Sequence, residues 1–454
     1  MSGTSPDTGS GGERQYGPVT TRAPREDVVG RDRLLARLAA LVDRAAAGER
    51  QTVVLSGEAG IGKTALLRVA ASEAEARGAR VGWGPCIDVD GAPGYWPWSQ
   101  LLNGLVRAIG VDGARQRAGD DASLLATISP SFGASSPGEV SDRARLLLWD
   151  ATVRWLDTLA EEAPLVVVLD DLQWADESSL GFLDFVSRSQ QRARVCVIGA
   201  YRHDELSPES RDRIDPIVSR ADHLHLDGLA VDAVDALVQR VAGRSVDRQL
   251  VETIHRRTGG HPLFVRELAL LVDHAEGGVE DIPSAVRDAI ERRTARLAPE
   301  TLAVLEVAAL VGAELVPDVV AAALGIPVVE VERATGPAID AGVLAAGTHR
   351  TRFAHDLIRE SILARVDPAR RTRLHQAIGT ALEDRVVRAG DVAPAELAAH
   401  YTNAVALDGP ERACHWALEA AATDRAGLAF VEAAAHLRRL RAAIADAGVV
   451  LGDR

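Results

Sequence analysis

A chain of 454 residues with 47% hydrophobic content is long enough for about two to four globular domains. It has no uncharged apolar run of about 18 residues and no basic-then-apolar leader pattern, so the sequence predicts neither a membrane span nor a signal peptide and implies a cytoplasmic setting. A net charge of −14 argues against whole-surface attraction to nucleic acid or anionic lipid.

Residues 1–24 are rich in Ser, Gly, Thr and Pro without apolar periodicity, which predicts a disordered tail. Order is expected from Asp27, where Val28-Val29-Gly30-Arg31 leads into a helix with Leu34, Leu35, Leu38 and Leu41 on one face. Residues 52–56 read as a short buried strand, and Thr64 onward as a helix. Between them Gly57-Glu58-Ala59-Gly60-Ile61-Gly62-Lys63-Thr64 spells a G-x-x-x-x-G-K-[ST] loop. Glycines let the backbone turn so that several N–H groups face a phosphate chain, and the following helix presents its positive end to the same anion. Lys63 supplies a mobile charge for the β- and γ-phosphates, and the Thr64 hydroxyl is a ligand for Mg²⁺. Of 51 basic residues Lys63 is the single lysine; the others are arginine. An ammonium kept at this one place marks a site where a guanidinium does not substitute.

Residues 79–86 read as the next strand, followed by a Gly/Pro-rich loop in which Tyr95, Trp96 and Trp98 suit packing across a domain edge. Residues 110–140 are weakly patterned and predict a long, partly mobile insertion. An amphipathic helix over 142–161 is expected to turn Leu146, Leu147, Val153, Leu156 and Leu159 inward.

The stretch 164–171, PLVVVLDD, is the second informative one. Its apolar run suits a central parallel strand buried on both faces. Asp170 and Asp171 stand at its carboxyl end, where open α/β sheets place ligands. Asp170 fits a Mg²⁺-organising carboxylate and Asp171 a water-orienting one, while Asp176 reads as a helix N-cap. Residues 194–201 form another buried strand, ending at Arg202, which either reaches a γ-phosphate or pairs with Asp204 or Glu205. A fifth strand over 223–229 closes the β/α alternation. Residues 230–275 are helical, broken at Thr258-Gly259-Gly260-His261-Pro262. Three helices and a hairpin (342–344 with 350–353) follow in the pattern of a winged helix, and from Val392 the chain is helical again. There Phe430, Ala434, Leu437, Leu440 and Ile444 recur at helical spacing. Cys86, Cys196 and Cys414 lie far apart and suit buried thiols.

Taken in order, VVGRDRLLARL, GEAGIGKT, VVVLDDLQWAD, IGAYRHDEL, GGHPLFVREL and FAHDLIRESIL resemble the STAND class of signalling P-loop ATPases, close to the AAA+/Orc-related module of large ATP-dependent LuxR-type transcriptional regulators. The resemblance runs from Val28 to the C-terminus. It implies an α/β P-loop NTPase domain with a three-layer parallel sheet over 25–229 and a helical lid over 230–281. A winged helix over 282–386 and the start of a TPR-like helical array over 390–454 complete it. It also implies ATP or ADP with Mg²⁺ as ligands. Gly30 and Arg31 lie along adenine and ribose; Gly57, Gly60, Gly62, Lys63 and Thr64 hold phosphates; Thr64 and Asp170 hold Mg²⁺. Asp171 stands where AAA+ hydrolases usually carry glutamate, Arg202 resembles the γ-phosphate sensor, Pro262 the lid proline near the base, and His355 the winged-helix histidine on the ADP β-phosphate. The expectation is a nucleotide switch with slow ATP hydrolysis, closed with ADP and open with ATP, engaging a protein partner or another copy through its C-terminal helices. No DNA-reading helix-turn-helix is recognised, and specific DNA binding by this chain is not expected. The competing reading is an Orc-like, DNA-loading AAA+ ATPase, which draws on the arginines between 350 and 373.

Overall fold

The computed structural model of the chain describes residues 28–88, 92–134, 141–189, 192–272, 294, 297–346, 351–354, 356–389 and 392–448. Helix α1 (Asp32–Ala46) leads to strand β1 (Gln51–Ser56), helix α2 (Lys63–Ala76) and strand β2 (Arg80–Pro85). Helices α3 (Trp96–Ile109), α4 (Val111–Ala118), α5 (Ala122–Leu125) and α6 (Asp142–Glu162) come before β3 (Leu165–Asp170). Helix α7 (Glu177–Arg188), β4 (Val195–Tyr201), α8 (Pro208–Val218) and β5 (Asp222–His225) complete the α/β part.

The five strands are parallel and lie in the order β2-β3-β4-β1-β5. Every residue of β3 is buried, as a strand covered on both faces requires. Leu165, Val167 and Leu169 enter the core beneath α3, α6, α7 and α8; Val166 and Val168 enter the one beneath α1 and α2. The register aligns Ser56 with Tyr201 and Leu169 with Gly199. The residues just past β1, β3 and β4 therefore emerge side by side at one carboxyl edge, the edge where such sheets take ligands.

Helices α9 (Val231–Ala242), α10 (Arg248–Thr258) and α11 (Pro262–Val272) follow, then α12 (Pro299–Val311), α13 (Pro317–Leu324) and α14 (Val328–Asp340). The expected hairpin is present: β6 (Leu344–Ala346) pairs antiparallel with β7 (Thr351–Phe353), Leu344 opposite Phe353. Helices α15 (Asp356–Arg365) and α16 (Pro368–Ala389) lead to an array of α17 (Pro394–Asp408), α18 (Pro410–Ala426) and α19 (Phe430–Asp446) that pack in succession. The fold class expected from the sequence is present in its parallel α/β sheet and C-terminal helical array.

Three details differ from expectation. The segment anticipated as a mobile insertion folds, where described, into α4, α5 and two single 3₁₀ turns, because Leu125, Ile128 and Phe132 are buried beneath α6. Leu146 and Leu147 are each 49% exposed. The inward face of α6 is set instead by Leu148, Trp149, Val153, Trp155, Leu156 and Leu159. The apolar stripe of α19 is divided: Leu440 and Ile444 are buried in the core of the array, Leu437 is exposed, and Phe430 packs with Leu428 and Ala429 into the core of the α/β part.

That last contact belongs to a polar seam between the array and the sheet. Gly94 N donates to Asp424 Oδ1 at 3.0 Å, and a Cβ at Gly94 would lie 2.2 Å from that of Ala429, so only glycine permits the approach. At the start of α7, Ser178 N and Oγ donate to Glu432 at 2.9 and 2.7 Å. His436 meets Asp424 at 2.9 Å in the same buried seam.

Candidate functional site

The loop between β1 and α2 takes the conformation that its glycines allow: Gly57, Gly60 and Gly62 all have positive φ. Gly62 caps α2 at φ 102°, a left-handed position that side chains with a Cβ adopt at a cost of about 1 kcal/mol or more. Lys63 opens the helix and turns back over the loop, its Nζ donating to Gly57 O at 2.8 Å and Glu58 O at 2.9 Å. It is 5% exposed; burial, and then the nearby Arg202, hold its pKa below the ordinary lysine value.

Next to it, the Thr64 hydroxyl donates to the Asp170 carboxylate, which also accepts from Asp171 N at 3.0 Å. Asp170 is 4% exposed, and desolvation raises its pKa despite Thr64, Arg68 and Lys63 nearby. A hydroxyl and a buried carboxylate side by side are the hard oxygen donors that Mg²⁺ prefers. Asp171 turns out of the strand at φ 57° and meets Arg202 Nε at 3.6 Å through Oδ1.

Arg202, one residue past β4, is 3% exposed. Of the two possibilities the sequence left for it, the local pair is the one seen here. Its Nη1 donates to Glu205 at 2.9 and 3.0 Å, the local pair considered as the alternative, yet the side chain also sits against Asp171 at the site edge. Its guanidinium lies 4.6 Å from the Trp174 ring centroid. From α15, Glu360 approaches Nη1 at 3.7 Å.

Gly30 lies where a Cβ would fall 2.4 Å from that of Ala233, pressing this segment against α9. Arg31, 8% exposed, donates from Nη2 to Ile61 O at 3.2 Å, anchoring it to the phosphate loop. Pro262 opens α11, half-buried. Its neighbour His261 was read only as part of a helix corner, but its Nε2 contacts Ala59 O at 2.9 Å and its ring stacks on Phe264. Burial keeps this imidazole below the ordinary histidine pKa, so it is neutral near pH 7 and Nε2 carries the donated proton. His355 lies outside the described residues. The neighbouring helix α15 is tied to both halves: Arg359 Nη1 donates to Ala309 O on α12 at 3.1 Å, and Nη2 pairs with Asp88 in the α/β part. Gln173 is the other residue missed. Its Nε2 donates to Asp171 Oδ1 at 2.9 Å, and its Oε1 accepts from Arg202 N at 3.0 Å.

A phosphate loop at the head of α2, an aspartate pair at the end of β3 and a buried arginine past β4, on this sheet order, make up an α/β P-loop NTPase fold. Residues 27–198 match the sequence profile of the AAA ATPase domain. An uncharacterized protein of Rhizobium meliloti (strain 1021) is 24% identical over 435 residues, 85% of this chain and 39% of the relative, so this chain spans well under half of that protein's length. Among solved structures, the STAND protein with a tetratricopeptide repeat sensor from Pyrococcus horikoshii shares the fold at TM-score 0.55 and 13% identity, over 96% of this chain and 61% of that one. The Aeropyrum pernix ORC2 protein, solved as ADPNP–ADP complexes, aligns at TM-score 0.35 and 16% identity over 75% of this chain and 95% of its own. No helix among the described residues is long and apolar enough to cross a membrane.

Proposed function

We propose that this chain is an ATP/ADP switch of a signalling protein of the STAND kind, built as in the ATPase module of LuxR-type regulators, with slow ATP hydrolysis, closed with ADP and open with ATP. In this reading an α/β ATPase domain over 25–229 is followed by a lid (230–281), a winged helix (282–386) and a TPR-like array (390–454), which offers a surface to a protein partner or another copy. The observation that carries it is the double engagement of Arg202. One guanidinium sits against Asp171 at the phosphate edge and 3.7 Å from Glu360 on α15, so events at the nucleotide bear directly on the docking of the C-terminal half.

In this reading the residues divide the work as the resemblance implies. Lys63 exchanges two loop carbonyls for phosphate oxygens, and the N–H groups of Gly57, Gly60 and Gly62 cradle the same anion. Thr64 and Asp170 would hold Mg²⁺, which would supply positive charge against the phosphates. Asp171 orients the attacking water; as a carboxylate one methylene shorter than glutamate, it reaches less far, which makes turnover slow. Arg202 senses the γ-phosphate. Gly30 and Arg31 border the adenine and ribose, with Pro262 near the base. His355 touches the ADP β-phosphate and locks the closed form.

The DNA-loading alternative needs a free basic face, and four of the arginines it draws on are engaged within the chain. Arg359 pairs with Asp88, Arg370 with Glu306, Arg365 donates to Thr294 and Arg371 to Leu363 O. The test is to identify co-purified nucleotide by chromatography and to measure particle mass with ADP and with ATP. Bound ADP in a small particle that assembles with ATP is the expected result. A nucleotide-free protein of unchanged mass that binds neither nucleotide refutes the switch.

A further inference from the structure

We infer that Gln173 is a positioning residue for ATP hydrolysis, a single carboxamide that fixes both the water-orienting carboxylate and the γ-phosphate-sensing arginine. The inference rests on the ATPase reading above and adds to it a residue and a division of labour.

Gln173 lies in the 3₁₀ turn Leu172–Trp174, immediately after Asp171, and is 8% exposed. Its two hydrogen bonds reach the ends of two adjacent strands, Asp171 Oδ1 past β3 and Arg202 N past β4. A carboxylate oxygen only accepts and a backbone N–H only donates, so one orientation of the amide satisfies both, and the reversed orientation satisfies neither. The side chain is thus locked by its partners at each end.

The turn that carries it is seated just as firmly. Leu172 is buried and packs on β4 at Gly199, where a Cβ would come within 2.6 Å of Leu172 Cδ1; glycine at 199 opens the space. Trp174 N donates back to Asp171 O at 2.9 Å, and its ring faces the Arg202 guanidinium. Asp171 itself is held in a left-handed conformation, so its carboxylate is aimed by the turn and not by the strand. Gln173 Nε2 and Arg202 Nε both approach the same oxygen, Oδ1, which fixes the rotation of the carboxylate plane. Through Oε1, Gln173 also sets the backbone from which the Arg202 side chain departs. Gln173 thus ties the Asp171 carboxylate to the backbone of Arg202.

Two substitutions separate the two bonds. Gln173→Glu keeps an acceptor for Arg202 N–H but replaces the donor to Asp171 with a repelling oxygen. Gln173→Leu, of similar size, removes both. Single-turnover hydrolysis of ATP with Mg²⁺ and the dissociation constants of ATP and ADP are measured for each, with melting temperature confirming folded protein. For Gln173→Glu the hydrolysis rate should fall by about 10- to 100-fold with both dissociation constants nearly unchanged. For Gln173→Leu the rate should fall at least as far, and ATP should weaken about fivefold relative to ADP because Arg202 is released. Rates within about twofold of native in both variants overturn the inference, as does an equal loss of ATP and ADP affinity, which marks a merely structural residue. Should the native protein bind both nucleotides but hydrolyse no ATP, the ATPase reading itself fails. The hydrolytic role of Gln173 falls with it, and its placing of Arg202 is then decided by the ATP-to-ADP affinity ratio of Gln173→Leu, an unchanged ratio overturning that as well.

Discussion

Glu360→Gln tests whether the nucleotide and the C-terminal half compete for one arginine. Glu360 Oε1 lies 3.7 Å from Arg202 Nη1; the arginine side chain is 4% exposed and that of the glutamate 42%. Two unit charges at that separation attract by about 4.5 kcal/mol at an effective dielectric of ~20 and by about 1 kcal/mol at that of water. Water around Glu360, and the rival claim of Glu205 on the same Nη1 at 2.9 Å, place the pair at the lower end, about 1 kcal/mol. Loss of the charge at 360 should therefore shift the closed–open balance about fivefold toward open. With Arg202 in its proposed role at the γ-phosphate, that gain should appear as about fivefold tighter ATP binding with ADP affinity changed less than about twofold. Calorimetric titrations of native and variant protein with each nucleotide, at matched Mg²⁺, measure it directly. An equal change for both nucleotides, or no change for either, refutes competition at Arg202.

Lys63→Ala should leave the fold melting cooperatively while weakening ATP and ADP together by more than about a hundredfold, since both present a β-phosphate; unchanged affinity in a titration contradicts the phosphate-loop assignment. Asp176 is pushed up to about 7 from an ordinary 3.8, first by burial and then by the neighbouring Glu432. Folded protein therefore holds a proton that the unfolded chain releases above pH 3.8, so stability should fall as pH rises toward about 7 and level off beyond. Asp176→Asn, which keeps a capping side chain, should flatten that slope in a melting-temperature series. Duplex DNA should bind more weakly than roughly micromolar at physiological salt, and tighter, salt-dependent binding in a fluorescence titration would revive the loader reading.

The parts of the site that could be read in advance are those where local pattern and spacing suffice. The phosphate loop is a contiguous string, and an all-apolar run ending in Asp170-Asp171 marks a central strand by burial alone. Arg202 was found by its place after a strand, although its shared partners needed the fold: Glu360 is 158 positions away in sequence and carries no local sign of the contact. His261 and Gln173 stood inside quoted motifs, but glutamine and histidine in a turn read as ordinary until the carbonyl of Ala59 and the carboxylate of Asp171 are seen opposite them. Leu146 and Leu147 show the limit of periodicity. The helix pattern fixes which residues share a face but not where along the helix the core ends. The segment from 110 to 134 hid its order because helices as short as α4 and α5 display too few turns for a repeating stripe.

The bond from Ser178 N to Glu432 spans 254 positions, so helix α7 receives part of its N-terminal cap from nearly the other end of the chain. Ribosomes add roughly 5–20 residues per second, so on the order of 10–50 s separate the emergence of Ser178 from that of its partner. During that interval the sheet can assemble, but the groove awaiting Leu428 and Ala429 stands open to water and the backbone N–H groups of Gly94 and Ser178 lack their carboxylates. The nascent α/β half thus carries one uncovered seam, and a chain shortened before residue 424 keeps it permanently. The fold of that half is completed by helices made about 250 positions later.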